Sequence, residues 1–162
     1  MLDLILPALM AATTVSSAKP LTTGEKRWNA GSRGEYCHVS HTAPPIPLLI
    51  FRNNDAVFNF SFTSDKSRSI RYGQSVDLKL VFASHNWRSE DISVRFSDVS
   101  EDSTKTQFMG QMPVRYFGYF RKATVLFAYY GDTLVERFEL NGSAAAIDAL
   151  QRCASRESDP FN

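Results

Sequence analysis

The chain is poor in the residues from which metal and redox sites are built. It has only two cysteines, Cys37 and Cys153. Neither belongs to a C-x-x-C pair or to a Cys/His cluster, which argues against a zinc site. It also lacks a charge surplus: 18 basic and 17 acidic residues leave a net charge of +1. A polynucleotide binder normally shows a basic excess or stripe, so this balance gives no pointer to nucleic acid. There is no P-loop, no dinucleotide fingerprint and no G-x-S-x-G elbow. The usual marks of nucleotide binding and of α/β-hydrolase chemistry are therefore missing, and nothing implies a cofactor. No internal repeat and no linker divides the sequence.

What is present is globular. The 162 residues are 43% hydrophobic and 22% charged, enough for one domain with a real core. Aromatics make up 12%, and phenylalanine alone supplies 12 residues. With few long helical patterns, that composition favours β structure.

The first residues read as a targeting segment. Leu4 to Val15 is apolar, and Ser16 to Ala18 offers the small residues that a signal peptidase prefers. The apolar run is too short to cross a bilayer, so the mature chain is expected to lack a transmembrane segment. The start is atypical in one respect, carrying Asp3 and no Lys or Arg. The expected organisation is a signal peptide over residues 1–18 and a single domain over 19–162. Two lone cysteines behind such a segment most simply form a disulfide. In the chain-entropy model a bridge enclosing so much of the chain contributes on the order of 4–5 kcal/mol. Two separate buried thiols are the alternative, favoured if the chain stays in a reducing compartment.

The middle of the chain alternates. Phe58, Phe60 and Phe62 oppose Asn59 and Ser61. Val76, Leu78, Leu80 and Phe82 oppose Asp77 and Lys79, and Ile92, Val94 and Phe96 oppose Ser93 and Arg95. This period of two marks strands buried on one face. Pro113 to Phe120, Ala123 to Tyr130 and Thr133 to Leu140 read as three further strands. Turn-prone stretches separate them at Arg52 to Asp55, Ser64 to Ser69, Ser97 to Lys105 and Tyr130 to Asp132. Thr42 to Pro47 reads as an extended entry to the first long strand, because proline there blocks helix. The expected fold class is all-β: an antiparallel β-sandwich, or partly open barrel, with one short C-terminal helix packed on it.

That helix begins after Gly142, with Ser143 as its N-cap and three alanines behind it. Ile147, Leu150, Cys153 and Ala154 share one face, which aims Cys153 at the body of the protein.

The layout of strand, F-x-L-x-G-S-A-A-A, helix and cysteine resembles the C-terminal end of bacterial periplasmic proteins of the invasion-associated locus B type. It is similar also to small envelope proteins that include an accessory component of type VI secretion. The matching residues are Phe138, Leu140, Gly142, Ser143, Ala144, Ala145, Leu150 and Cys153, and the opening around Trp28 and Cys37 is loosely similar to the family's first strand. The resemblance covers the two ends and not the central strands. It implies a β-sandwich with a terminal helix, exported to the periplasm, with no catalytic residues to carry over.

Four groups of residues offer candidate chemistry. His38 and His41 lie beside Cys37, but in an extended segment they point to opposite sides and lack a third ligand, so no metal site is expected. His85 has Ser84, Ser89, Glu90 and Asp91 nearby in sequence. A hydrolase triad there would need a geometry that sequence does not show, and a polar hairpin loop with Trp87 folded over the sheet edge is the preferred reading. Adjacent carboxylates such as Glu101 and Asp102 more simply solvate a loop than face each other across a cleft.

The fourth group is the stretch from Arg115 to Tyr130. Read as a strand, it places Arg115, Phe117, Tyr119 and Arg121 on one face. Aromatic residues with arginine form interface anchors, although a central strand covered on both sides has the same composition. The sequence thus points to a non-enzymatic exported protein that binds another protein of the cell envelope or of a host, or contributes to envelope integrity. A small ligand- or glycan-binding or inhibitor module is the alternative, and a hydrolase at His85 is a third reading. The sequons Asn59 to Ser61 and Asn141 to Ser143 matter only in a eukaryotic secretory route.

Overall fold

The computed structural model describes residues 28–33, 36–41, 48–52, 56–65, 70, 72–100 and 104–157. The expected signal peptide, the Thr42–Pro47 entry and residues 53–55, 66–69 and 101–103 of the expected turns lie outside the described residues. The strands are β1 (Trp28–Arg33), β2 (Tyr36–His41), β3 (Leu48–Arg52), β4 (Val57–Ser64), β5 (Ser75–Ser84), β6 (Trp87–Arg88), β7 (Ile92–Asp98), β8 (Thr106–Pro113), β9 (Val125–Tyr130) and β10 (Thr133–Glu139). Helix α1 spans Phe117–Lys122 behind a single 3-10 turn, Val114–Tyr116, and α2 spans Ser143–Glu157.

All the pairings are antiparallel, in the order β1-β2-β3-β4-β8-β7-β5-β9-β10, with β6 paired to β5. The expected all-β class with a C-terminal helix is what the chain adopts, in its curled, partly open form. β4, β8, β7, β5, β9 and β10 make a half-barrel. The curl brings β4 and β10, at opposite ends of that path, into contact: the Ser64 hydroxyl donates to the Val135 carbonyl at 3.3 Å. The Phe62 and Phe138 rings there are 5.1 Å apart. A bulge between Leu134 and Glu136 in β10 adds the local twist that such closure requires.

The alternating residues fill the inside of the curl. Phe58, Phe60, Phe62, Leu78, Leu80, Phe82, Phe96 and Phe108 are all buried. Phe60 touches Phe62, Phe96, Phe120 and Phe138 at centroid distances from 5.7 to 6.4 Å, the tilted and edge-on range in which rings attract. Gly110 of β8 makes this packing possible. It pairs with Phe60 on one side and Phe96 on the other. A Cβ at Gly110 would stand 2.8 Å from the Arg95 carbonyl oxygen and 2.9 Å from the Phe96 ring. The absent side chain lets the two flanking rings meet at 5.8 Å.

β8 is a strand that the alternation did not reveal. Gly110 and the two methionines dilute its apolar pattern, and position 110 is inward without being hydrophobic. The opposite error concerns Val114 to Lys122, which is helical and not a strand. Aromatics there satisfy two periods at once. Phe117 and Phe120, three apart, bury together on one helical face. Their rings plug one end of the half-barrel: Phe117 stacks on Phe58 at 4.5 Å, and Phe120 meets Phe82 at 4.8 Å.

Helix α2 closes the structure across β1 and β2. Ile147 and Leu150 are buried, and Cys153 and Ala154 pack against the same core, the face expected from their spacing. The turn into the helix uses Gly142 at φ 85°, a conformation that glycine adopts without strain. Ser143 is the first helical residue rather than the cap, and its buried hydroxyl donates to the Phe120 carbonyl, tying α2 to α1. Trp28 of β1 donates its indole N–H to the Asn141 carbonyl at 2.8 Å, so the first described strand is fastened to the turn before the last helix. The Cys37–Cys153 disulfide joins β2 to α2, with the two Cα atoms 5.9 Å apart and 116 residues apart in sequence.

Candidate functional site

The candidate site lies where α1 meets the β5–β6 hairpin. Ser84 and Trp87 pair across the turn at His85 and Asn86, the polar hairpin expected there. The turn delivers a half-buried Trp87 against Tyr119 of α1, with centroids 5.5 Å apart and planes inclined at 53°. Tyr119 continues to Tyr116, also at 5.5 Å and inclined at 49°. The guanidinium of Arg115 lies over the Tyr116 ring, 5.1 Å from its centroid, a cation–π contact. The three rings and the arginine form a stepped row along one surface.

An acid closes the row. The Tyr119 hydroxyl donates to Glu90 Oε1 at 2.6 Å, a short charge-assisted bond. That bond, with a second from the backbone N–H of Glu90 itself, holds the Glu90 carboxyl below the usual glutamate range against a small opposing cost of burial. The same bond pushes the Tyr119 phenol up, because losing its proton would leave two negative groups in contact. Glu90, Arg115, Tyr116 and Tyr119 together line a cleft of about 230 Å³. Its acid and its base do not pair with each other among the described residues.

The residues singled out by sequence divide between two roles. Arg115 and Tyr119 belong to the cleft. Phe117 and Arg121 do not, and the strand-face grouping of Arg115, Phe117, Tyr119 and Arg121 is corrected by the helix. Phe117 is buried in the half-barrel at 1% exposure. Arg121 turns to α2, donating from Nε and Nη2 to Asp148 Oδ1 at 3.0 and 2.7 Å and from Nη2 to Gln151. The helical path separates what strand spacing had grouped, and leaves Arg115 of the 3-10 turn and Tyr119 of α1 lining one cleft. Glu90 and Tyr116, which line the cleft, and Trp87, which packs on Tyr119 beside it, are residues that the sequence pattern did not connect to Tyr119. No local signal links them, since the Glu90–Tyr119 bond spans 29 residues.

The other candidates are dispersed. His85 is exposed in the hairpin turn. Its sequence neighbours are committed elsewhere: Ser89 Oγ is buried, accepting from Phe82 N–H and donating to the Glu90 carbonyl. Asp91 pairs with Lys79 and Arg88. No nucleophile and base are brought together there. His41 is buried edge-on against Trp28 at 4.9 Å, while His38 is only partly buried on the other side of β2. No group of three metal-ligating side chains occurs among the described residues. Residues 101–103 lie outside them. The C-terminal motif residues Phe138, Leu140 and Ser143 are buried, and with Gly142 and Cys153 they build the clasp rather than a surface. Among the described residues no helix is long and apolar enough to cross a membrane.

Compared with models of known protein families, with curated proteins and with solved structures, the chain finds no match.

Proposed function

We propose that this protein is an exported, non-enzymatic binding module that engages another protein of the cell envelope, or of a host, through the cleft between α1 and the β5–β6 hairpin. The observation that carries the reading is the row Trp87, Tyr119, Tyr116 and Arg115 with Glu90 beside it. Aromatic and arginine side chains held rigid by their neighbours cost little conformational entropy when a partner arrives, which is why such residues dominate interface energetics. The core and clasp hold α1 in place from behind, so the row is presented on a fixed support.

Export is supported by the signal-like start at Leu4 to Ala18 and by a disulfide, a bond that persists in oxidising compartments. The proposed compartment is the bacterial periplasm or the exterior. The proposed kinship with the invasion-associated locus B type rests on the C-terminal layout around Phe138 to Cys153. A glycan or small ligand in the same cleft is the second reading, favoured by the cleft's modest size.

The test pairs stability with binding. Alanine at Arg115 and Tyr116 should leave the melting temperature within a few degrees of the parent and remove capture of the partner. A large loss of stability would show that these side chains hold the fold, and retained capture would move the interface elsewhere. Mass measurement without reductant tests export: the expected species begins near Lys19 and is two hydrogens lighter than the dithiol.

A further inference from the structure

Taking the cleft as the protein-binding site, we propose that its ligand is a dipolar peptide segment, with a basic side chain set against Glu90 and Tyr119 and an acidic side chain set on Arg115.

Most of the nearby charges named so far are already paired. Asp91 pairs with Lys79 and Arg88, Arg95 with Asp77, and Arg121 with Asp148. Glu90 and Arg115 line one cleft, yet neither forms an ion pair among the described residues. Glu90 takes the Tyr119 hydroxyl and its own N–H. A carboxylate has about four acceptor positions, so some remain open. Among the described residues Arg115 reaches only the Tyr116 hydroxyl, at 3.5 Å, and otherwise lies over that ring. Its fork of donors is open to a carboxylate, the partner whose geometry it matches.

The cleft's own balance then selects the ligand. A purely cationic segment would gain at Glu90 and be repelled at Arg115. A purely anionic one would meet the reverse. A ligand with both signs gains at both ends, and its cation also meets the Tyr119 ring, whose face attracts positive charge. Stacked sugars would prefer a flat platform, whereas successive rings here are inclined by 49° and 53°. The inclined rings suit the alkyl stem of a lysine or arginine. A volume of about 230 Å³ holds side-chain ends, not a folded domain.

The test uses the full chain with its disulfide intact and acetylated, amidated peptides carrying one lysine and one aspartate, separated by glycine spacers of increasing length. Binding is read from chemical-shift changes at the Trp87 indole and the Tyr119 ring. At least one spacing should bind the parent. E90K alone and R115E alone should each weaken it about tenfold, equivalent to 1.4 kcal/mol. The double variant E90K/R115E should recover most of that loss, because a dipolar peptide can bind in the reverse direction. Failure of every spacing, undiminished binding by the single variants, or no recovery in the double variant overturns the proposal. So does tighter binding of a neutral oligosaccharide, which would move the site to the glycan reading. If a partner protein still crosslinks at position 118, which leaves Glu90 and Arg115 intact, while no peptide binds, the cleft remains the interface and only the charge assignment fails. If neither occurs, the functional reading fails with it.

Discussion

Removing the bridge between Cys37 and Cys153 tests whether the clasp sets the stability of the domain. The perturbation is the double substitution Cys37→Ala and Cys153→Ala, which leaves no free thiol. With the cysteines 116 residues apart in sequence, the chain-entropy relation gives a loss of about 4.8 kcal/mol at 25 °C. Cys37 is completely buried, so a small cavity term adds to this. Whole domains are stable by about 5–15 kcal/mol, so the loss is a large share. At about 3–4 °C per kcal/mol for a domain of this size, the midpoint should fall by about 15 °C. The folded state itself should persist, because α2 keeps Ile147 and Leu150 in the core, the Trp28–Asn141 hydrogen bond and the Arg121–Asp148 pair. Thermal unfolding followed by circular dichroism, with and without reductant on the parent chain, measures both parts. A midpoint that moves by under 5 °C would refute the claim that the bridge restrains the unfolded chain over that loop. A bridge-free chain with no cooperative transition would show instead that the core cannot stand without it.

Three further outcomes follow from the geometry. Gly110→Ala should destabilise by about 1–3 kcal/mol, the range for overpacking, since its Cβ would stand 2.8 Å from the Arg95 carbonyl oxygen; a neutral effect in denaturant titration would contradict the close approach. Tyr119 should titrate above the usual tyrosine range of about 10 by ultraviolet absorbance, and Glu90→Gln should bring it back down. The signs are opposite for the two partners. Tyr119's contribution to stability is complete below pH 10 and is lost as pH rises through its raised value, whereas Glu90's is present above 4.5 and lost as pH falls through its depressed value. Arg121→Ala should cost under about 1 kcal/mol, as expected for a largely exposed pair, and should speed amide exchange in the first turns of α2 without affecting partner binding.

β4, β5, β7, β9, β10 and the terminal helix were legible in the sequence for local reasons. Phe58, Phe60 and Phe62 alternate over a few residues, and Ile147, Leu150 and Cys153 repeat at helical spacing, so each pattern declares its own face. The site was legible only in part. Arg115 and Tyr119 were singled out for their composition, but as members of a strand with Phe117 and Arg121. Residues 114–122 carry aromatics at spacings that suit either period, and burial of Phe117 with Phe120 decides for helix. Gly110 escaped because its role is to be empty, and an empty inward position looks like an interruption. Glu90 joins the cleft through its hydrogen bond to Tyr119, 29 residues away in sequence, which no local pattern encodes. Even the number of layers depended on how far the sheet curls, which alternation leaves open: it gives faces, not neighbours.

The most direct measurement is site-specific photo-crosslinking in bacterial cells, with a photoreactive residue placed at Gly118, next to Tyr119, where an added side chain meets open space, and, as a control, at the exposed Tyr72. The account predicts a discrete adduct with a second protein in the periplasmic fraction from position 118, weakened by Tyr116→Ala and absent from position 72. Equal labelling from both positions, or no adduct at 118 in a protein shown to be exported and bridged, would contradict it.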